Sequence, residues 1–481
     1  MKPDVILTAD LGAGSLRAAA IGLDGRTHAI ARRALTIAAP HPGWAEAAPA
    51  AWWDALAATF VEVLAAADVA PRAIALTAMT RSQVLLDASG EVLRPAILWR
   101  DIRAAEAARE AARWVPVANP ATGINAFHTL ARLAWLNANE PDVFARTAAV
   151  LEPKDALNLA LTGVLAADGV TAARFDDLAP AADAPDWIGR ALSLLDHPRR
   201  MPWEIVGTVT ARAAPFDRLA GLPVFGGAMD TWAGAVGSGA VEAGIAYDVA
   251  GTSEAVGLIT ASPARVDGLV PMPWTETAHQ LGGPTQAGAD AARWAFDLLR
   301  LPGTLEDAVA AAGNLAPSAA LPMFIPYLAG ERAPVWRSDV RGVIAGLSRE
   351  HGPAEAMFAV IEGVAGAVAD IVRTAEASGT AARAIAISGG GALSDAWCQI
   401  KADVTGLPVV RPREVETGLV GSAAAAAFGL GAFPTLAAAS AAMNAAERTF
   451  TPRPAFAELF AARAEARLSL KAFALSMKVG E

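Results

Sequence analysis

One device, occurring in both halves of the chain, constrains the fold more than anything else in the sequence. The apolar run Val5-Ile6-Leu7-Thr8-Ala9 breaks at Asp10-Leu11-Gly12-Ala13-Gly14-Ser15. It resumes as Leu16-Arg17-Ala18-Ala19-Ala20-Ile21-Gly22-Leu23 and turns at Asp24-Gly25. Much later, Ala246-Tyr247-Asp248-Val249-Ala250 leads through Gly251-Thr252-Ser253 into Glu254-Ala255-Val256-Gly257-Leu258-Ile259. Both read as strand, tight small-residue turn, strand. A third apolar strand, Ala384-Ile385-Ala386-Ile387-Ser388, runs into Gly389-Gly390-Gly391-Ala392 and a helix starting near Ser394. Helical spacing over 52–67, 102–114, 130–139 and 154–162, with a buried strand at 73–77, makes the chain α/β. The recurrence predicts a duplicated α/β architecture around a cleft. The boundary belongs between Asp230 and Asp248, with no Pro/Ser-rich linker, and gives domains of 1–240 and 241–481.

Composition narrows the function. At 481 residues the chain can bury large cores without staples, and its one cysteine, Cys398, excludes an internal disulfide and a cysteine-rich zinc site. Cys398 reads as a helix packing residue. A net charge of −10, with no basic block or tail, argues against nucleic acid as a partner. Met1 to Asp10 is too short and too acidic at its end for a signal-peptide core. The most apolar stretch, 420–443, is mostly Ala and Gly and is broken by Pro434. The expectation is a cytoplasmic protein with no membrane association.

Several residues could carry chemistry, each with a plainer reading beside it. Glycines at 12 and 14 let backbone approach a phosphate, and Asp10 at a strand end could hold Mg2+; equally, Asp10 could cap a tight hairpin. Gly251-Thr252-Ser253 could grip a phosphate or be a short polar turn. Gly389-Gly390-Gly391 would leave a flat ligand unobstructed, with helix N–H groups beyond. Neither a Walker A lysine loop nor a GxGxxG fingerprint is present. Asp230, after Pro223-Val224-Phe225 and the pair Gly226-Gly227, could accept a hydroxyl proton or cap a helix.

In order, the segments Asp10-Leu11-Gly12…Ser15, His41-Pro42-Gly43-Trp44-Ala45-Glu46, Leu85-Leu86-Asp87-Ala88-Ser89-Gly90 and Pro95-Ala96-Ile97-Leu98-Trp99-Arg100-Asp101 resemble FGGY carbohydrate kinases. So does Gly226-Gly227-Ala228-Met229-Asp230. Pro326-Tyr327-Leu328-Ala329-Gly330-Glu331-Arg332-Ala333-Pro334-Val335-Trp336 is similar to the family's second signature. Ser388-Gly389-Gly390-Gly391-Ala392…Trp397…Gln399…Ala402-Asp403-Val404-Thr405-Gly406 is similar to its adenosine-binding stretch. The resemblance is collinear and covers nearly the whole chain.

It implies two actin-like, ribonuclease-H-like domains flanking a deep catalytic cleft, with sugar mainly on the first domain and ATP mainly on the second. Asp10 then corresponds to the magnesium-associated acid. Gly12 and Ser15 belong to the first phosphate loop, and Gly251 and Thr252 to the second. Gly390, Gly391, Ala392 and Asp395 line the nucleotide, with Gly288 near it, and Asp230 is the general base. Glu331 and Arg332 read as structural. Phosphoryl transfer needs positioning and charge neutralisation, which Mg2+ and N–H-rich turns supply. Domain closure would exclude water.

The acceptor pocket departs from the family pattern. Many members carry hydroxyl residues where this chain has Ala13 and Gly14, which leaves room for a sugar- or nucleotide-binding protein without transferase activity. Xylulokinases usually have Met-His at Thr80-Arg81 and Asp-Asn at Asp230-Thr231, and glycerol kinases have Arg-Glu at Arg81-Ser82. Trp99 reads as an apolar wall for sugar carbons or as core. Arg81 and Arg100 could fork a carboxylate or face solvent. The reading is an ATP- and Mg2+-dependent kinase of a ketopentose such as xylulose, the alternatives being a sugar acid like gluconate or a polyol like glycerol. Enzymes of this class commonly form homodimers, and nothing in the sequence marks an interface.

Overall fold

The first glycine turn lies between antiparallel strands, as its flanks predict. In the computed structural model, which describes residues 2–210 and 216–477, β1 (Asp4–Leu11) and β2 (Ser15–Gly22) pair with Asp10 opposite Arg17. β3 (Thr27–Ala34) continues the meander. α1 (Pro49–Ala66) opens on a proline, which suits a first turn, and buries Trp52, Leu56, Phe60 and Val63 at helical spacing. It carries the chain to β4 (Ala70–Ala78), parallel to β1. After α2 (Thr129–Asn139) and α3 (Pro153–Thr162) come β5 (Ile205–Thr208) and β6 (Pro223–Met229), and then α4 (Asp230–Gly237). The sheet order is β5-β6-β4-β1-β2-β3. Val5, Leu7, Leu56, Phe60, Ile74 and Leu76 form its core against α1.

The second half repeats this plan. β7 (Ile245–Ala250) and β8 (Glu254–Thr260) pair antiparallel across the second turn. β9 (Val270–Pro273) and β10 (His279–Pro284) follow, then α5 (Ala289–Leu298) and α6 (Pro353–Glu376), a helix apolar on most faces and accordingly buried. β11 (Ala384–Ser388), α7 (Asp395–Thr405), β12 (Val409–Pro412) and β13 (Ala446–Phe450) complete the order β9-β10-β8-β7-β11-β12-β13. Three antiparallel neighbours, two parallel steps and an antiparallel edge strand occur in both sheets, with β9 an addition in the second. This is the duplicated, actin-like α/β fold that the sequence points to.

The chain divides into two compact units, Met1–Gly237 with Gly418–Asn444, and Ser238–Thr417 with Ala445–Glu481. The expected single boundary at 240 does not include that excursion. The helices Thr417–Gly429 and Leu436–Met443 are the Ala-rich segment that reads as most apolar. Having no polar face, they must enter a core, and they enter the first unit's. A Cβ at Gly421 would overlap the Ala233 carbonyl of α4, so only glycine permits this approach. Ser440 donates to Val236 O at 2.6 Å and Asn444 to Gly237 O at 2.6 Å. Among the described residues no helix is long and apolar enough to cross a membrane. Cys398 is buried in the second unit's core, where burial pushes its thiol up to about 12.

Candidate active site

β1, β4 and β6 run parallel, so their carboxyl ends share one edge of the first sheet. Register puts Asp10 opposite Thr77 and Met229 opposite Ala78. Asp10, the Thr80-Arg81-Ser82 turn and Asp230 therefore leave the sheet together, at the end where open α/β sheets hold ligands. The route to Asp230 differs from the sequence expectation. The strand does not end at Phe225 but runs through Gly226-Gly227 to Met229, with a register shift between Phe225 and Ala228. The irregularity is tolerated because Thr77 Oγ1 donates to Ala228 O at 2.7 Å and Asn158 Nδ2 to Gly226 O at 3.1 Å.

Asp230 starts α4, and its Oδ1 accepts the Thr231 N–H at 2.7 Å. Burial pushes its carboxyl up to about 7, the Asp10 charge adds to this, and the Thr231 bonds oppose it. Asp230 thus stands as the first residue of α4, with a carboxyl raised to about 7. Asp10 is buried and ion-paired with Arg17, its neighbour across the β1–β2 pair. Burial raises its carboxyl more than Arg17 lowers it. Gly418, in the excursion, has its Cβ position 3.5 Å from Asp10 Oδ2.

Residues expected near an acceptor meet here in part. Thr80 Oγ1 accepts from Arg174 Nη1 at 3.1 Å. Arg81 adopts a left-handed backbone, φ 55°, a conformation that costs a non-glycine residue roughly 1–3 kcal/mol. Trp99 is 43% exposed, which removes the core reading and leaves its ring available as a wall. Its backbone N–H donates to Ser82 Oγ at 3.1 Å. Arg100 is exposed beside it, and no side-chain hydrogen bond or ion pair among the described residues holds it. Thr231 is partly buried next to Asp230.

The segment His41 to Glu46 holds the chain on either side of Trp99. Ala45 N–H donates to Asp101 Oδ2 at 2.6 Å, Leu98 N–H to Ala45 O at 2.9 Å, and Arg103 lies over the Trp44 ring at 3.6 Å. Sequence reasoning missed Arg132, Glu152, Arg174 and His128. His128 caps α2, its Nδ1 accepting Leu130 N–H at 3.1 Å. Burial, then the charges of Arg174, Arg81 and Arg132, pull it down to about 3, so it stays neutral. No local pattern marks these four.

The two glycine turns share one pattern of bonds. In both, the first glycine's N–H closes the turn: Gly12 N–H donates to Ser15 O at 3.0 Å and Gly251 N–H to Ser253 O at 3.1 Å. The donors left without a partner among the described residues are those of Ala13 and Gly14, and of Thr252 and Ser253. Ser15 opens β2, opposite Ala34. In the second unit, α5 aims the turn. Ala289 N–H donates to Gly251 O at 3.0 Å and Asp290 N–H to Thr252 O at 3.2 Å. Because each peptide is planar and trans, the N–H groups of Thr252 and Ser253 then point away from α5.

Gly288 backs this turn. A Cβ there would stand 2.9 Å from both the Gly251 and Thr252 carbonyl oxygens. Gly288→Ala is therefore expected to displace the turn, raising the KM for ATP by roughly 10-fold while the acceptor's KM holds. Steady-state kinetics with each substrate varied in turn would check it, and an unchanged KM for ATP would refute it.

Gly390-Gly391-Ala392 precede α7, as the sequence reading has it, and form a single 3-10 turn, Gly390–Leu393. The helix begins at Asp395, and Ser394 caps it by accepting Trp397 N–H. Nothing stands within 4 Å of a Cβ position at Gly390, so this turn offers an open, side-chain-free surface. Asp395 is half exposed and held by Arg411, at 2.9 Å, and Arg448. Glu331 Oε1 accepts Gln286 N–H at 2.6 Å, and Arg332 donates to Ser253 Oγ at 3.0 Å and to Thr285 O, so both brace the turn's surroundings.

Residues 5–237 match the N-terminal domain, and residues 246–430 the C-terminal domain, of the FGGY family of carbohydrate kinases. The xylulose kinase of Escherichia coli (strain K12) is 33% identical over 417 residues, 82% of this chain and 84% of that one. The glycerol kinase of Geobacter sp. (strain M21) is 29% identical over 481 residues, 94% of each chain. Among solved structures, the xylulose kinase from Rhodospirillum rubrum superposes with a TM-score of 0.88 at 29% identity, covering 97% of this chain and 98% of that one.

Proposed function

Since the chain belongs to the FGGY family of carbohydrate kinases, we propose that it moves the γ-phosphoryl group of ATP to a hydroxyl of a small open-chain sugar, a ketopentose such as xylulose. The observation that carries this is Asp230: a carboxylate at the carboxyl edge of the sheet, raised to about 7, beside the turn that holds Thr80 and Arg81. A base in that range is ionised near neutrality yet basic enough to take a proton as the hydroxyl attacks. Which hydroxyl reacts follows from which one Asp230 can reach.

Asp10 suits a magnesium-associated acid. It is a buried carboxylate at a strand end whose desolvation Arg17 only partly offsets. Among the described residues no cluster of three or more ligating side chains occurs, and Mg2+ commonly makes do with one or two carboxylates plus substrate phosphates. Bound there, Mg2+ would neutralise charge on the transferred phosphoryl oxygens. The N–H groups of Ala13, Gly14, Thr252 and Ser253 would hold phosphate oxygens, and Gly390 and Gly391 would face the flat base. Trp99 would cover sugar carbons while Thr80 and Thr231 order the hydroxyls.

A second reading, a sugar acid as acceptor, is favoured by Arg100, which is exposed beside Trp99 and has no side-chain partner among the described residues. ADP release with Mg-ATP over ketopentoses, polyols, glycerol and sugar acids separates the two. A sharp preference for a ketopentose supports the first reading, and a preference for a sugar acid replaces it. ATP binding without turnover on any acceptor would move the binding-protein reading ahead.

A further inference from the structure

Thr80, Arg81 and Ser82 are each tied to a different charged side chain, and each of those comes from a different element. Arg174, in the single-turn helix Ala173–Phe175, donates to Thr80 Oγ1 at 3.1 Å. Arg132, on α2 and wholly buried, donates to Arg81 O, and its other terminal nitrogen donates to Leu98 O at 2.7 Å, one residue before Trp99. Glu152, which precedes α3, accepts Ser82 N–H at 3.2 Å and pairs with Arg174. Ser82 Oγ then accepts the Trp99 N–H at 3.1 Å. At the middle of this chain of bonds sits Arg81 with its left-handed backbone. A strained residue persists only where its surroundings over-determine it, and here they do.

Buried and half-buried charges are weak sources of net stability, and their better-attested use is to select one conformation. We propose that Arg132, Glu152 and Arg174 are positioning residues whose joint task is to hold the Thr80-Arg81-Ser82 turn and Trp99 in one arrangement beside Asp230, and that this brace sets which open-chain acceptor the enzyme selects. The inference rests on the kinase reading of this site but not on xylulose as the acceptor. Among the described residues Glu152 and Arg174 bond the turn and each other rather than Asp230, so they act through the turn, the Glu152 charge adding a little to the raising of Asp230. Loss of either leaves the base in place and frees the turn, so the expected damage is to acceptor binding and discrimination.

The wild type is first run against the acceptor panel, and its best and second-best acceptors, whatever they are, serve for the variants. A wrong reading of xylulose then shows in the wild-type profile alone and leaves this test intact. Arg174→Ala is expected to raise the KM for the best acceptor roughly 10-fold or more and to narrow the kcat/KM ratio between the two acceptors by a similar factor. The KM for ATP should stay within about twofold, since Arg174 bonds only Thr80, Thr129 and Glu152 among the described residues, none of them given to the nucleotide. Glu152→Gln keeps an acceptor for Ser82 N–H while weakening the hold on Arg174, and should give the same pattern more mildly. The double variant should add little to Arg174→Ala, because the pair acts as one. Arg174→Lys, which keeps the charge and loses the fork, should recover only part of the selectivity. If Arg174→Ala fails to fold, Glu152→Gln alone decides. An unchanged selectivity ratio in a folded variant, an equal rise in the KM for ATP, or fully additive effects in the double variant would each overturn the proposal.

Discussion

Asp230→Asn is expected to lower kcat by roughly 10²- to 10⁴-fold, the usual worth of a general base, with little change in the acceptor's KM. Asparagine keeps the bond to Thr231 N–H that starts α4 and removes only the proton acceptor. The wild-type rate should fall as pH drops through about 7, because the base is lost as it protonates. That acidic limb should be missing from the variant's residual activity. Stability runs the other way. The carboxyl rises from 3.8 to about 7 on folding, so the native state holds this proton more tightly than the unfolded chain does. Its advantage is complete at low pH and is lost as pH rises across that interval. The Tm of the Asn variant should exceed that of the wild type at pH 8 and converge with it near pH 4. A pH–rate profile and thermal melts at both pH values test this, and an unaltered kcat would remove Asp230 from the mechanism.

The other large effect concerns a cluster behind the second turn. Lys401 of α7 pairs with Asp248 of β7 and with Glu254 of β8, at 2.6 Å for the latter, and all three side chains are fully buried. The two acids stand on either side of Gly251-Thr252-Ser253. Lys401→Met would leave two carboxylates buried without a cation, a defect worth about 3–5 kcal/mol. Burial raises both acids and Lys401 restrains them, so without Lys401 they rise further. The variant should therefore regain stability as pH falls and both acids take up protons. Urea unfolding at pH 8 and pH 5 measures this, and a variant as stable as the wild type at pH 8 would show that the cluster holds nothing. Lys401→Met with Asp248→Asn and Glu254→Gln should recover most of the loss, since no buried charge is then left alone.

What could be read locally was read well where the interaction is local. The two glycine turns lie between neighbouring strands, and strand alternation plus small residues is enough to mark them. The reading weakened one step further out. Gly12 and Gly251 carry the right residues for a phosphate turn, but their N–H groups close it, so the outward donors belong to the residues after them. The close packing that keeps Gly288 bare, with its Cβ position 2.9 Å from the Gly251 and Thr252 carbonyl oxygens, has no local signal either. The helix after the glycine triplet starts where its residues predict, capped by Ser394, while the 3-10 turn that the glycines themselves form has no local signal.

The brace around Thr80 was not legible at all. Arg174 reaches Thr80 across 94 residues of chain, and Arg132 reaches Arg81 across 51. Nothing in the residues next to either arginine points to the turn it reaches. The same holds for the Gly418–Asn444 excursion, whose Ala-rich helices announce burial but not in which core.

The amino-acid sequence by itself determined the strands, their tight turns, the duplicated plan and the residue types that can do phosphoryl chemistry, because each depends on a few consecutive side chains. Only the tertiary structure decided which N–H groups stay unpaired, which charges face one another and how far Asp230 is raised. Those depend on desolvation and on distances between residues that the chain keeps far apart, and folding alone brings them together.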